Sequence, residues 1–417
     1  MKMKQIYAAL EIADHEIRLV VGEFFETRFN ILRVERIKTD GIRNKEIVDE
    51  QNVTSAIMKA VSNLNTALGY RIERVLLAIP SVNVKRFNKR VSIKLEAGSK
   101  RVRLAHIQSG VNEAVTYEPD PDLVLVNVGC IKYITNGITS RKMPLDEICD
   151  VLTMNIDLLY ADKTTVYSYA RCVEQAGLEI LDICLDSYAI AEEAAIFEQT
   201  VDKYVVLVDL SRQNTTLSLF THGRLVNCEI LESGYGAWLQ GFFEKYHLSE
   251  DVSYRLIQNN TILLDKEASD SVVYLWSENG EQKKLSEQDV YKEIIHGVMD
   301  WFRMLNEACE PIVESGDVRY LLTGEGMEIQ GIEKLLQELN ASAQIYVPQT
   351  IGARDCGLVT CLGLFYSWKA QMLIRKDERI SCDLRDVDKS VKTIRKSISD
   401  DEGSFTKKLK SMLLNDK

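Results

Sequence analysis

Proline is scarce, with six residues in 417, and a chain so poor in it is neither a linker array nor a disordered coil. The nine cysteines (130, 149, 172, 184, 228, 309, 356, 361 and 382) include no CxxC pair. An odd number without paired spacing speaks against a disulfide framework or a zinc site and predicts buried free thiols. Five histidines stand apart with no HExxH spacing and read as structural. No apolar run reaches the roughly 18 residues that a membrane span requires. The longest uncharged run, 339–353, is polar and holds Pro348, whereas 356–368 is apolar enough for a buried core helix. The opening MKMKQIYAALEIADHE has its apolar run interrupted by Glu11, so no signal peptide is expected. Positive charge is also short: 51 Lys and Arg against 62 Asp and Glu give a net −11. Such a body should not hold nucleic acid or an anionic membrane non-specifically, and membrane contact would need a local basic segment.

What is present is a globular balance, 46% apolar and 27% charged, on a chain long enough for about two to four subdomains. Two stretches share one plan, QIYAALEIADHEIRLVVGEFFETRFNILRVERI (5–37) and KYVVLVDLSRQNTTLSLFTHGRLVNCEILES (203–233). Each runs an apolar strand to an acid, Glu11 or Asp209, then turns into a second and a third strand. A three-strand meander written twice predicts duplicated domains facing each other.

Between the copies, 53–68 has helical spacing and IERVLLAIPS reads as a buried strand stopping at Pro80. Residues 83–163 alternate strand-like pieces (KRVSIKLE, LVLVNVG, KYITNGI) with a helix near 104–115, which predicts a small α/β insertion. Helices over 167–175 and 187–196 bracket LEILDICL. After the second meander come helices at 237–246 and 252–259, then a hairpin turning at Asn279-Gly280. A long amphipathic helix over 288–310 follows, with Val290, Ile294, Val298, Trp301, Phe302 and Leu305 on one face. VRYLLTGEGMEIQGIEKLLQEL reads as strand, glycine turn and helix, and 376–402 as a charged linker.

The last stretch, 403–417, regains a helical pattern. Phe405, Leu409, Met412 and Leu413 fall on one face, flanked by Lys407, Lys408 and Lys410. Four lysines (Lys417 included) against Asp416 make it locally +3, and Gly403-Ser404 supplies a break and an N-cap. This predicts an interfacial membrane helix that binds weakly alone and strongly by avidity in a polymer.

The order of these pieces resembles FtsA, the actin-like bacterial cell-division family, over essentially the whole chain. The resemblance is carried by LEIADHEIRLVVGE (10–23), GIRNKEIVDEQNVTSAIMKAVSNLNTALGYRIERVLLAIPS (41–81) and CVEQAGLEILDICLDSYAIAEEA (172–194). VDLSRQNTTLSLFTHGRL (208–225), LLTGEGMEIQGIEKLL (321–336) and GSFTKKLKSMLLNDK (403–417) complete it. It implies an α/β, actin-like (ribonuclease H-like) two-lobed fold. The first lobe would be 1–82 with 164–198 and 352–375, holding an inserted small α/β domain at 83–163. The second would be 199–232 with 299–351, carrying a small subdomain at 233–298. The linker 376–402 and the tail 403–417 would follow.

The resemblance also implies an ATP–magnesium pocket whose positions here are Glu11, Ala13 and Asp14, then Asp209, Ser211, Arg212 and Thr215, then Gly324 and Gly326. Actin-fold phosphate loops need glycine, because backbone amides must approach the phosphates. In this chain the first loop reads Ala13-Asp14-His15-Glu16 and the second Ser211-Arg212-Gln213. Asp14 and Glu16 would face a triphosphate, each like-charge contact costing ~1 kcal/mol or more. Arg212 could hold a phosphate. Glu11 and Asp209 are either magnesium- or water-positioning acids or strand-end acids left from a lost site. The worn loops predict ATP binding and hydrolysis that are weak or absent, with no metal site and no catalytic residue assigned.

The partners implied by the resemblance are the FtsZ C-terminal peptide, an anionic membrane surface, further copies of the chain through 83–163, and other division proteins. The place would be the cytoplasmic face of the cell membrane at the division site. The family's Glu-Pro-Arg near the peptide site reads His296-Gly297-Val298 here, so no FtsZ-contacting residue is assigned. An active actin-like ATPase and a PilM-type pilus adaptor are the other two readings, the latter having no call for an amphipathic tail.

Overall fold

A computed structural model describes residues 4–26, 28–96, 98, 100–200, 202–260, 269–278 and 280–393. The first meander is β1 (Gln5–Ile12), β2 (Glu16–Phe25) and β3 (Arg28–Lys38). A small hairpin, β4 (Ile42–Arg43) and β5 (Glu46–Ile47), leads to α1 (Glu50–Leu68) and β6 (Arg74–Ile79). Then come β7 (Lys85–Lys94), α2 (Leu104–Val115), β8 (Leu123–Thr135), β9 (Ile138–Ser140), β10 (Val151–Asp162) and α3 (Lys163–Gln175). β11 (Glu179–Leu185), α4 (Asp186–Glu193) and α5 (Ile196–Gln199) precede the second meander of β12 (Tyr204–Leu210), β13 (Thr215–Thr221) and β14 (Arg224–Leu231). It is followed by α6 (Gln240–Tyr246), α7 (Glu250–Asn260), β15 (Val272–Glu278), β16 (Glu281–Ser286) and α8 (Glu287–Val313). β17 (Val318–Thr323), β18 (Ser342–Ile345) and α9 (Val359–Arg375) complete the order.

The two meanders head two five-stranded sheets of the same design. One runs β3-β2-β1-β6-β11 and the other β14-β13-β12-β17-β18, each an antiparallel meander extended by two parallel strands. β1 and β12 are central and buried on both faces, which is why they read as unbroken apolar runs rather than alternations. Helices α4 and α9 lie between the lobes. Gly363 of α9 meets the backbone of Ala189 in α4 so closely that a Cβ would collide with it, so only glycine permits this crossing. On the second sheet the apolar face of α8 buries Trp301 and Phe302, and the Trp301 indole donates to Thr215 Oγ1 at 2.9 Å.

Residues 85–162 build a separate four-stranded antiparallel sheet, β7-β10-β8-β9, with α2 on one face and its own apolar cluster around Ile107, Leu152, Met154 and Ile156. The stretches LVLVNVG and KYIT, which the sequence divides, are one strand with a register shift where Ile156 and Leu158 of β10 face it. Gly129 sits at that irregularity, as glycine in strands often does. The chain turns at Asn136-Gly137, both with positive φ.

Two expectations need correction. The helix expected after Gly326 is a pair of 3-10 turns, Glu325–Glu328 and Ile332–Glu338, because Gly331 at φ +91° breaks the run. The linker expected from 376 is docked at its start: Ser381 and Cys382 are buried. Ser381 N donates to Ile6 O at 3.0 Å and its hydroxyl accepts from Ala8 N at 2.8 Å. Its carbonyl accepts from Glu73 N at 2.9 Å, so the segment fills the gap where β1 and β6 splay. The tail 403–417 lies outside the described residues, as do 394–402. No helix among the described residues is long and apolar enough to cross a membrane.

Candidate functional site

The turns β1–β2 and β12–β13 meet at the floor of the interlobe cleft. Each is a tight hairpin turn: Ala13 N donates to Glu16 O and Ser211 N to Asn214 O, both at 3.0 Å. The two turns bond directly to each other. Gln213 N donates to Asp14 Oδ2 at 2.6 Å and Gln213 Nε2 to Asp14 O at 2.9 Å. The same amide reaches the β4–β5 hairpin, donating to Ile42 O at 3.3 Å and accepting from Asn44 N at 3.0 Å.

Beneath that seam lies a buried charge cluster. Lys45 stands at φ +64° in the β4–β5 turn, after Asn44 at φ +48°. Its ammonium turns inward and pairs with Asp186 Oδ2 at 3.0 Å. Burial alone would discharge that lysine, but Asp186 and Asp209 outweigh it and raise its pKa. Asp186 also accepts from Ser81 N at 3.0 Å and Ser187 N at 2.6 Å. Burial raises its pKa, but Lys45 and these donors prevail and hold it below the ordinary carboxylate range. Glu11 is pushed up to about 7, chiefly by burial against the opposing pull of Arg18, with Asp209 and Asp186 adding repulsion. Asp209 is raised as well, first by burial. Gly324, at φ +92°, passes so close that a side chain there would strike the Asp209 carboxylate.

A third group joins the lobes above the seam. Glu325, on the second lobe, accepts from Arg18 Nη2 at 3.2 Å and Arg36 Nη2 at 3.4 Å and pairs with His15 Nε2 at 3.2 Å. The other His15 nitrogen meets Asp14 Oδ1 at 2.7 Å. Burial lowers the imidazole pKa, yet hydrogen bonds to Asp14 and Glu325 win and lift it to about 9. Burial likewise raises Glu325, but His15 and Arg18 carry it well below the usual range.

The sequence-expected positions divide accordingly. Glu11, Ala13, Asp14, Asp209, Ser211 and Gly324 converge on the cleft floor. Gly326 packs on Leu210 behind it. Glu16 does not face a phosphate position; Arg18 Nε at 2.6 Å and Arg36 Nη2 at 2.6 Å hold it. Arg212 lines the recesses beside the floor rather than the floor itself, paired with Glu250 and stacked 3.7 Å from the centre of the Tyr254 ring. Thr215 is buried, its hydroxyl donating to Ser233 O at 2.6 Å. Phe405, Lys407, Lys408, Leu409, Lys410, Met412 and Leu413 lie outside the described residues. Lys45 and Asp186 were not expected at the site; His15, Gln213 and Glu325 fall within the expected loops but were given no role there. For Lys45 the one legible signal was its place after Asn44 in a turn, since lysine is an odd choice for a left-handed position.

The floor of the cleft does not fit magnesium with a triphosphate. The floor cavity lined by Glu11, Ala13, Lys45, Asp186 and Ser211 measures about 20 Å³, room for roughly one water. Magnesium keeps several waters when bound, and the Lys45 ammonium already pairs with Asp186 at the floor. Two larger recesses flank the seam. One of about 490 Å³ is lined by Asp14, His15, Arg43, Arg212 and Gln213, and one of about 420 Å³ by His15, Arg212, Tyr235, Tyr254 and Glu325.

No family model matches the chain. Among curated proteins, the cell division protein FtsA of Bacillus subtilis (strain 168) is 23% identical over 370 residues, covering 87% of this chain and 83% of that protein. FtsA of Enterococcus hirae is 23% identical over 366 residues, 84% and 80% of the two chains. Among solved structures, a chain of the PilM–PilN type IV pilus biogenesis complex superposes with a TM-score of 0.55 at 13% identity, covering 87% of this chain and 98% of that one. The ethanolamine utilization protein EutJ of Carboxydothermus hydrogenoformans gives 0.51 at 11% identity, covering 86% and 88%. MreB5 of Spiroplasma citri bound to ADP gives 0.51 at 9%, covering 90% and 99%. At these identities the structural likeness shows the fold alone, which is actin-like α/β.

Proposed function

We propose that this chain, a divergent FtsA-like cell-division protein with an actin-like fold, is an adaptor that tethers FtsZ filaments to the cytoplasmic face of the membrane and holds its lobes together without nucleotide. The tether half rests on the likeness to FtsA and on the tail, where an apolar face at 405, 409, 412 and 413 is flanked by lysines on a chain of net charge −11. The nucleotide-free half rests on one observation: the phosphate turns are bonded to each other through Gln213 and Asp14, and Lys45 fills the cationic position below them. In this reading 83–163 and 233–298 are separate subdomains, the first for self-association and the second for the FtsZ C-terminal peptide. The modest affinity of one tail, about 1–2 kcal/mol per partly buried apolar side chain less the cost of ordering it, becomes firm attachment when many copies line a polymer.

The test is flotation on phosphatidylglycerol liposomes. Wild type should float, more weakly as salt rises, while deletion of 403–417 or Leu409→Glu with Met412→Glu should abolish flotation at any salt and leave the melting curve unchanged. Immobilised FtsZ C-terminal peptide should retain both forms. A floating variant, or one that melts much earlier than wild type, would make the tail a docked structural element and end the tether reading.

A further inference from the structure

We infer that β7, the outer strand of the 85–162 sheet, is a docking edge for an extended acidic segment of a partner protein. The site is distinct from the tail and from the cleft and rests on neither. β7 reads KRFNKRVSIK, with Lys85, Arg86, Lys89, Arg90 and Lys94 and no acid; the nearest in sequence is Glu96. It is the terminal strand of its sheet, and among the described residues its backbone bonds only to β10. The opposite edge therefore presents a row of free amides and carbonyls, which is what an added strand needs.

The alternation of the strand places cations on both sides of that row. Phe87, Val91 and Ile93 point to the α2 side and pack in the apolar cluster, so Lys85 and Lys89 share that side. Lys89 lies over the Tyr117 ring, 3.0 Å from its centre. Arg86, Arg90 and Lys94 project from the other face. Arg86 is within 3.4 Å of Asp157, whereas Lys85, Arg90 and Lys94 make no ion pair among the described residues. An added strand would thus meet positive charge whichever way its side chains point, and alternating acids on it would be matched.

The same arrangement disfavours other occupants. A second copy pairing β7 to β7 sets like charges opposite each other, which is destabilising. A lipid surface would reach one row of cations and leave the backbone edge unused. A nucleic acid would meet a body of net −11. Charged edges also guard sheets against aggregation, and that purpose alone predicts no ligand, which the experiment decides.

The probe is a labelled peptide of about ten residues alternating glutamate and valine, long enough to span the strand. It is titrated into the full chain by fluorescence anisotropy, with hydrogen exchange read over 85–94. Binding should protect β7 amides, weaken with salt, and fall by about tenfold or more in Arg90→Glu with Lys94→Glu, whose melting should match wild type because both residues are exposed. A peptide with proline at alternate positions should fail, since it cannot donate to the edge. No binding by wild type, equal binding by the charge-reversed chain, or equal binding of the proline peptide would overturn the proposal. So would displacement of the peptide by phosphatidylglycerol vesicles that protect the same amides, which would assign the edge to a lipid surface.

Discussion

Replacing Lys45 is the most direct probe of the closed cleft. Lys45→Ala removes the ammonium that lies 3.0 Å from Asp186 and leaves Glu11, Asp186 and Asp209 buried together. Removing one partner of a buried ion pair costs about 3–5 kcal/mol. Asp186 keeps its bonds from Ser81 and Ser187, which sets the expected loss at the low end, near 3 kcal/mol. The backbone separates charge from strain. At φ +64° any side chain costs roughly 1 kcal/mol over glycine, so Lys45→Gly should lose about 1 kcal/mol less than Lys45→Ala. For a chain of this size the alanine variant should melt on the order of 3–6 °C lower. Acid should narrow the gap. A carboxylate with a raised folded pKa binds its proton more tightly folded than unfolded, so stability rises as pH falls. Lys45 lowers the Glu11 pKa, which is about 7 in the wild type, so its loss lifts that pKa further: the deficit should be full at high pH and shrink as pH falls to about 7. Melting curves of the three proteins at pH 5 and pH 8 read all of this. A Lys45→Ala protein that melts like wild type at pH 8, or a glycine variant less stable than the alanine one, would refute the view of this lysine as an internal counter-ion.

Three further outcomes follow from the same cleft. The charged His15 bridge has a folded pKa of about 9 against an ordinary 6.5, so its contribution is whole below pH 6.5 and fades as pH rises through 9. His15→Gln should therefore melt below wild type at pH 6, by about 2 kcal/mol, and converge with it near pH 10. Gln213→Ala deletes the side-chain bonds to Asp14, Ile42 and Asn44 and should cost about 1–3 kcal/mol, measured by urea unfolding. Magnesium-ATP at millimolar concentration should leave the melting temperature of wild type and of both Lys45 variants unmoved, because the turns stay joined; a shift of several degrees would mean that the cleft opens.

The sheets were legible because their signals are local. Each meander announces itself by apolar runs, a strand-end acid and turn residues, and the second one turns again at His222-Gly223 with positive φ at both positions. β10 was harder. It lies between β7 and β8 and is buried along nearly its whole length, so it lacks the alternation that marks a half-exposed strand. The site was half legible. Glu11 and Asp209 could be found because each ends a strand beside a turn. Lys45 and Asp186 stand 141 residues apart and meet only once β11 lies beside β6, and nothing in either neighbourhood names the other. The missing glycines predicted a poor phosphate site, but not that Gln213 would close it, since that bond depends on how near the two lobes approach.

The docked segment around Ser381 has a mechanical consequence. A pull on the chain beyond residue 393 does not reach α9 directly. It must first free Ser390, whose hydroxyl donates to Leu68 O at 3.1 Å, and then strip Ser381 from two neighbouring strands at once. Those strands, β1 and β6, are the middle of the first lobe's sheet. Load from that direction therefore enters the molecule through the middle of that sheet, and Ser381 is the fastener that passes it on.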